Sequence, residues 1–307
     1  MKYRGFIPVL LLAALSLGAY AQENPGAEAM GLLSLHRGAA RSAMAGAGSA
    51  SVSSSAAFGA FDNPAALPFT TRIVDAAASY GMWAPGSAVA KSDNISLGVT
   101  AKPWKALALS VAAVNQAHPA QNFGDDTYKP LDGLISAGAG VAFGKHVGIG
   151  ASFIYAHQRL MPDYSLSAYA FHIAALYHAK NIDVTAAVRN IGPAIKSEKE
   201  NEYALPSSAR LGATYNGNVG KSNIEASLDM DVYFSGKFTA AAGVQYCYDN
   251  LLYARAGYRF AAQGAPLPSH LALGIGVKWK GFCLDAAYIT ANDIIGNSFA
   301  ISIGYRY

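Results

Sequence analysis

Charge is scarce in this chain of 307 residues, with Asp, Glu, Lys and Arg making up only 14%. Lys2 and Arg4 carry part of the formal +4, so beyond residue 21 the chain is nearly neutral, about +2. No Lys/Arg-dense stripe remains to neutralise phosphates, which excludes nucleic acid as a partner. Long apolar runs are also missing after the first 21 residues, so no segment reads as a membrane-spanning helix. There are only two cysteines, Cys247 and Cys283, and neither has a second soft ligand at metal spacing. They read as unpaired small residues on separate strands. Metalloprotease, serine-hydrolase, Walker A and paired-Cys motifs are absent. The chain reads as a non-enzyme with no cofactor or metal. A composition that is 52% hydrophobic without helical spans leaves a large soluble β protein or a transmembrane barrel.

What is present favours the barrel. Residues 1–21 have the form of a signal peptide: Lys2 and Arg4, then apolar Phe6 to Leu17, then Ala19-Tyr20-Ala21 before Gln22. Removal after Ala21 and export to the outer membrane of a Gram-negative bacterium are expected. In Ser298 to Tyr307, the residues Phe299, Ile301, Ile303, Tyr305 and Tyr307 share one face, opposite Ser298, Ala300, Ser302, Gly304 and Arg306. Phe299, Tyr305 and Tyr307 have the pattern of a C-terminal insertion signal in a barrel-closing strand. Similar alternation predicts strands near 72–80, 94–101, 105–115, 132–143, 146–159, 164–178, 181–190, 207–216, 222–234, 238–248, 251–260, 270–279, 281–290 and 298–307. That is about fourteen, an even number in the range of outer-membrane barrels.

Connections and charges agree. Tight turns at 102–104, 144–145, 179–180, 217–218, 249–250 and 280–281 nearly alternate with longer links, as periplasmic turns alternate with outer loops; 160–163 and 235–237 are exceptions. Asp183, Arg189, Arg210, Glu225, Asp229, Asp231, Arg255, Arg259, Lys278, Asp285 and Arg306 fall opposite the bulky apolar faces, so they point into the lumen. Arg189, Arg210, Glu225, Asp229, Asp231, Arg255, Arg259 and Asp285 are expected to form a lumen charge network. Within it, Glu225, Asp229 and Asp231 should pair with arginines of facing strands. Of the seven histidines, His172 and His178 share a face but lie too far apart to chelate one ion alone. Gly138, Gly140, Gly148 and Gly150 mark either a bend in the wall or small lumen positions that make room for a plug.

Residues 22–69 do not fit a wall. They are rich in small residues through 38–50 and 51–55, then turn at Asn63-Pro64. Either a periplasmic arm or a plug is compatible with this. The run Ala40-Arg41-Ser42-Ala43-Met44-Ala45-Gly46-Ala47-Gly48 and Asn63-Pro64-Ala65-Ala66-Leu67 resembles the N-terminal signature of PorV/PorQ-type outer-membrane proteins, distant relatives of the FadL fatty-acid channels. Segments 189–195, 204–212, 254–258 and 274–282 match further, in order. The resemblance implies an all-β barrel of fourteen strands over 70–307 and an N-terminal hatch over 22–69, with Arg41, Met44, Gly46, Gly48, Asn63 and Pro64 as its motif. It also implies a Bacteroidota envelope, outer-membrane lipid as surroundings, and a link to type IX secretion. There the barrel would dock the sorting domains of secreted cargo and pass them to surface-attachment proteins. Two departures stand out: Ser51-Val52-Ser53-Ser54-Ser55 replaces the acidic pair common in the family, and the outer loops are short. The alternative is a FadL-like channel for a hydrophobic small molecule such as a long-chain fatty acid.

Overall fold

A computed structural model describes residues 30–84, 91–123, 126–161, 164–196, 202–291 and 297–307. The expected signal peptide, its cleavage after Ala21 and residues 22–29 lie outside the described residues. Eighteen strands follow one another: β1 Val74–Trp83, β2 Ser92–Trp104, β3 Leu107–Ala117, β4 Gln121–Phe123, β5 Asp126–Tyr128, β6 Leu131–Phe143, β7 Val147–Met161, β8 Tyr164–His178, β9 Ile182–Ile191, β10 Ile195–Lys196, β11 Glu202–Tyr203, β12 Ser208–Val219, β13 Ser222–Tyr233, β14 Phe238–Tyr248, β15 Leu252–Ala261, β16 His270–Trp279, β17 Phe282–Ala291 and β18 Ser298–Arg306. Fourteen of them close an antiparallel barrel, β1 pairing with β18. Each expected strand is present, with no end displaced by more than three residues.

The two small hairpins β4–β5 and β10–β11 decorate long loops and were not expected. Their strands are too short to show a periodicity. A second difference lies at Lys102-Pro103-Trp104, expected as a turn. There β2 continues to Trp104, with a register irregularity between Ala101 and Trp104. Pro103 has no N–H for a ladder, and a strand-end irregularity tolerates that loss.

Every second connection is short, and both exceptional links fall on the long-loop end, where they are simply short loops. At the other end, Asp249 and Asn250 both take left-handed φ, +51° and +52°, as the central residues of a tight turn closed by Leu251 N donating to Tyr248 O at 2.9 Å. Closure there is completed by Tyr307, whose N–H donates to Val74 O at 2.9 Å and whose carbonyl accepts from Ile73 N at 2.7 Å.

The burial is inverted relative to a soluble sheet. Ile275 is 69% exposed, Leu228 64% and Ile173 62%, while Asp231 and Arg259 are almost wholly buried. So large an apolar exterior demands lipid around it. Among the described residues no helix is long and apolar enough to cross a membrane. Outward aromatics gather near both rims. Trp104, Phe143, Tyr177, Trp279, Phe282 and Tyr305 lie toward the short-turn end, and Tyr80, Tyr169, Phe238, Phe260 and Phe299 toward the long-loop end.

Candidate functional site

Residues 30–69 pack inside the barrel. Ala39, Ala43, Ala45, Ala60 and Ala65 have no exposed surface, and the segment touches strands on all sides of the lumen. It is built from a tight turn at Gly31–Ser34, a five-residue helix at Ala39–Ala43, a helical turn at Gly59–Asp62 and a 3-10 helix at Pro64–Phe69. Small residues let its backbone approach the wall closely, and the wall answers with glycine. A Cβ on Gly257 would stand 2.2 Å from the Met44 carbonyl carbon, and one on Gly140 would stand 2.1 Å from Pro64 O. Gly138, Gly148 and Gly150 face the segment in the same way, so they make room rather than bend the wall. Asn63 starts the 3-10 helix: its Oδ1 accepts from Ala65 N at 2.9 Å, with Pro64 at the first helical position. Its Nδ2 donates to Ser49 O and to Thr185 Oγ1, each at 2.9 Å, tying the segment to itself and to β9. Arg41 donates to Ala47 O at 3.0 Å and lies 3.6 Å from Asp62, which holds the turn through Gly46 and Gly48, both at positive φ.

One side of the lumen is charged. Arg210 donates through Nε and Nη2 to both oxygens of Asp231, at 2.6 and 2.7 Å. Arg189 and Arg259 each stand 3.9 Å from the same carboxylate. Arg255 bonds Gln245 and Asp285, both at 2.6 Å. Gly276 makes that diagonal reach across β16 feasible, since a Cβ there would stand 2.2 Å from Asp285 Oδ1 and 2.9 Å from Arg255 Nη1.

Glu225 and Asp229 depart from the expected arginine pairing. Asp229 accepts from Ser49 N at 2.9 Å and from Ser49 Oγ, while Glu225 accepts from Ser51 Oγ at 2.9 Å and from Ser53 Oγ. The register explains the difference. Asp231 faces Arg210 directly, whereas Asp229 faces Gly212 and Ala241, and Glu225 faces Asn216 and Gln245. Asp75 acts likewise on the next stretch, accepting from Ser55 Oγ at 2.9 Å and from Ala56 N at 2.8 Å. The serine run at 51–55 therefore docks on wall carboxylates through Ser51, Ser53 and Ser55. Sequence reasoning missed Ser49, Ser51, Ser53, Ser55 and Asp75 as docking residues. The visible signal was the coexistence of a serine run with inward acids; which acids lack an arginine opposite follows only from the register.

The other side is apolar. Across β3, β6, β7 and β8 the inward residues Val114, Leu134, Ala156 and Ala168 form one row in register. Ile154, Leu166 and Ala170 adjoin it, and Met30, Leu32, Leu33, Phe58 and Phe61 of the lumenal segment fill the space they line. The wall is weakest here. β9 joins β8 only as far as Phe171–Ile191, and the ladder slips where Arg189 and Asn190 together face His172. Asn190 takes φ +54°, and its side chain bonds His172 Nε2 at 2.8 Å and Pro206 O at 3.0 Å. Among the described residues, Tyr164–Ala170 therefore pair with β7 alone, and loop residues Ile195 and Leu205 cover that edge from the apolar cluster.

Between these sides lies His36. Burial, next to Arg259 and His270, holds its ring well below the usual histidine range, so it is neutral. Burial likewise draws Arg37 down to about 10, still charged, with its guanidinium on the Leu35 and Leu32 carbonyls and over the Phe61 ring. His178 bonds Asp183 at 2.5 Å and takes no part with His172. Cys247 and Cys283 are buried and free. Phe299 packs on Tyr288 at 5.2 Å and Tyr305 on Phe282 at 4.9 Å between ring centroids, both on the outer surface. Among the described residues no cluster of His, Cys, Asp and Glu is arranged to hold a metal.

No protein-family model matches the chain, and no curated protein matches it by sequence. Solved structures do. The toluene transporter TbuX of Ralstonia pickettii aligns over 88% of this chain and 98% of its own, at 11% identity and a TM-score of 0.62. The toluene transporter TodX of Pseudomonas putida covers 88% and 97% at 13% identity and 0.63. A FadL homologue of Pseudomonas aeruginosa covers 87% and 98% at 13% and 0.58. The fold is thus that of the FadL-type outer-membrane barrels. At such identities the likeness is one of fold.

Proposed function

We propose that this protein is an outer-membrane conduit for an apolar small molecule, with residues 30–69 as its hatch. One observation carries the reading. The outer half of the lumen on the β3 and β6–β8 side is an aliphatic chamber, occupied by the chain's own Met30, Leu32 and Leu33 beside the edge of β8 that lacks a second ladder. Burying these side chains is favourable at about 25 cal/mol per Å² of apolar surface, and a hydrophobic guest would recover that gain in their place. The chamber thereby has the chemistry of a binding site and a built-in stopper. The neighbouring folds named as toluene transporters support the same class of cargo. We assign residues 1–21 to export and the C-terminal Phe299, Tyr305 and Tyr307 to recognition during barrel insertion.

The PorV/PorQ resemblance implies docking of secreted cargo, and the aliphatic chamber has no part in that role. Uptake assays in a deletion strain separate the two readings. With the conduit, uptake of radiolabelled toluene or of a labelled long-chain fatty acid falls on deletion and returns with the gene, and surface proteins are unchanged. Unchanged uptake of both, with loss of surface-anchored secreted proteins, overturns it in favour of docking.

A further inference from the structure

A polar row borders the aliphatic one. One step nearer the long-loop end, Asn94 of β2 stands opposite Gln116 of β3, and Gln116 opposite Asp132 of β6. Gln116 and Asp132 lie two residues from Val114 and Leu134 along the same strands, so they share the inward face. Asn94, Gln116 and Asp132 are buried, at 7%, 8% and 5% exposure, and each carries one polar atom without a partner. Asn94 Oδ1 accepts from Ser96 Oγ at 2.9 Å, which leaves its Nδ2 as a bare donor. Asp132 Oδ2 stands 2.9 Å from His118 Nε2, while Asp132 Oδ1 and Gln116 Oε1 are bare acceptors. Side chains opposed on neighbouring strands are close enough to bond each other. Here a donor and two acceptors stand in one row without meeting, and a buried polar atom left unpaired is costly.

We propose that this row reads the head of the guest, and that the guest is an apolar molecule ending in a neutral hydroxyl. The inference rests on the conduit reading and narrows its substrate class. A hydroxyl is both donor and acceptor, so one oxygen donates to Asp132 Oδ1 and accepts from Asn94 Nδ2, beside Gln116. Toluene offers neither function. A carboxylate offers acceptors alone and would meet the Asp132 carboxylate, whereas an ammonium would leave the Asn94 donor bare. Room comes from the hatch. Met30, Leu32 and Leu33 form one cluster with Val114, Leu134, Ala156 and Ala168, and the hydrocarbon end of the guest takes their place. Head and tail are then held by the same two strands, β3 and β6, because the polar and aliphatic rows are neighbours on both. Such a site discriminates against an analogue that lacks the hydroxyl.

The test measures binding of labelled toluene, p-cresol and p-toluate to the full protein in detergent, with protein-free micelles subtracted. Gln116→Leu combined with Asp132→Leu removes both acceptors and keeps apolar bulk. Its affinity for p-cresol should fall about tenfold or more, with toluene binding unchanged, which also reports that the variant is folded. Asn94→Leu, on the donor side, should show the same selective loss. In the wild type p-toluate should bind at least about tenfold more weakly than p-cresol. Equal changes for p-cresol and toluene in the variants, or p-toluate binding as tightly as p-cresol, overturn the proposal and leave the conduit standing. Binding of none of the three to the wild type overturns both.

Discussion

The two sides of the lumen hold the hatch by different physics. On the β12–β18 side, directional bonds fix it: Asp229 on Ser49, Glu225 on Ser51, Arg259 on Ala45 and Ser302 on Ala39, with Met44 against Gly243 and Gly257. On the β3 and β6–β8 side the outer contacts are apolar, between Leu32, Leu33, Phe58 and Phe61 and the wall. Hydrogen bonds to charged groups are specific in angle and distance, whereas apolar contact is non-directional and tolerates exchange of one hydrocarbon for another. On the proposed conduit reading the charged side is an anchor and the apolar side a door, and among the described residues the incomplete β8–β9 ladder lies beside that door.

Asp231→Ala should have the largest effect, on the wall charges behind the anchor. It strips Arg210 of both its short bonds and leaves three arginines without their shared carboxylate, at a cost of about 3–5 kcal/mol. Urea unfolding in micelles, followed by the gel shift of the heated barrel, measures it. Leu33→Ala acts on the door instead. Its cost is about 2 kcal/mol, near the lower end for buried leucines, and its main effect is faster uptake of an apolar probe by liposomes carrying the protein. Equal uptake before and after would mean that the chamber is not the route. Asp229→Ala removes an acceptor from Ser49 and costs about 1–2 kcal/mol. It should expose the hatch to protease before the barrel itself melts, whereas Leu134→Ala on the apolar wall should not.

Much of the barrel was legible in the sequence because a transmembrane strand must alternate, and long runs such as Ile224 to Tyr233 repeat the pattern past doubt. The inward direction of Asp229, Asp231, Arg255 and Arg259 follows from the same period. Their partners were not, since pairing depends on register: a shift of two residues, which keeps every side chain on its face, would have placed Asp229 opposite Arg210 instead of Gly212. The door was also illegible. Leu32, Leu33, Ile195 and Leu205 come from irregular stretches without a period, and only their meeting with Leu134 and Leu166 in space makes them a cluster.

The sharpest test of the comparison reads movement rather than stability. With Cys247 and Cys283 replaced by Ser, one cysteine pair is introduced on each side. Ala39→Cys with Ser302→Cys bridges the anchor, where Ala39 N donates to Ser302 Oγ at 2.6 Å. Ala60→Cys with Gly138→Cys bridges the hatch to β6, where a Cβ on Gly138 would stand 3.2 Å from that of Ala60, somewhat inside the usual disulfide separation of about 3.8 Å; Ser152→Gly accompanies the pair, because that Cβ would otherwise stand 2.8 Å from Ser152 Cβ. If the anchor never moves, oxidising the first pair leaves uptake of the apolar probe unchanged. Oxidising the second should stop uptake, and dithiothreitol should restore it. Inhibition by the first pair and not the second would reverse the assignment: the charged bonds would then be what opens, and the aliphatic contacts what stays.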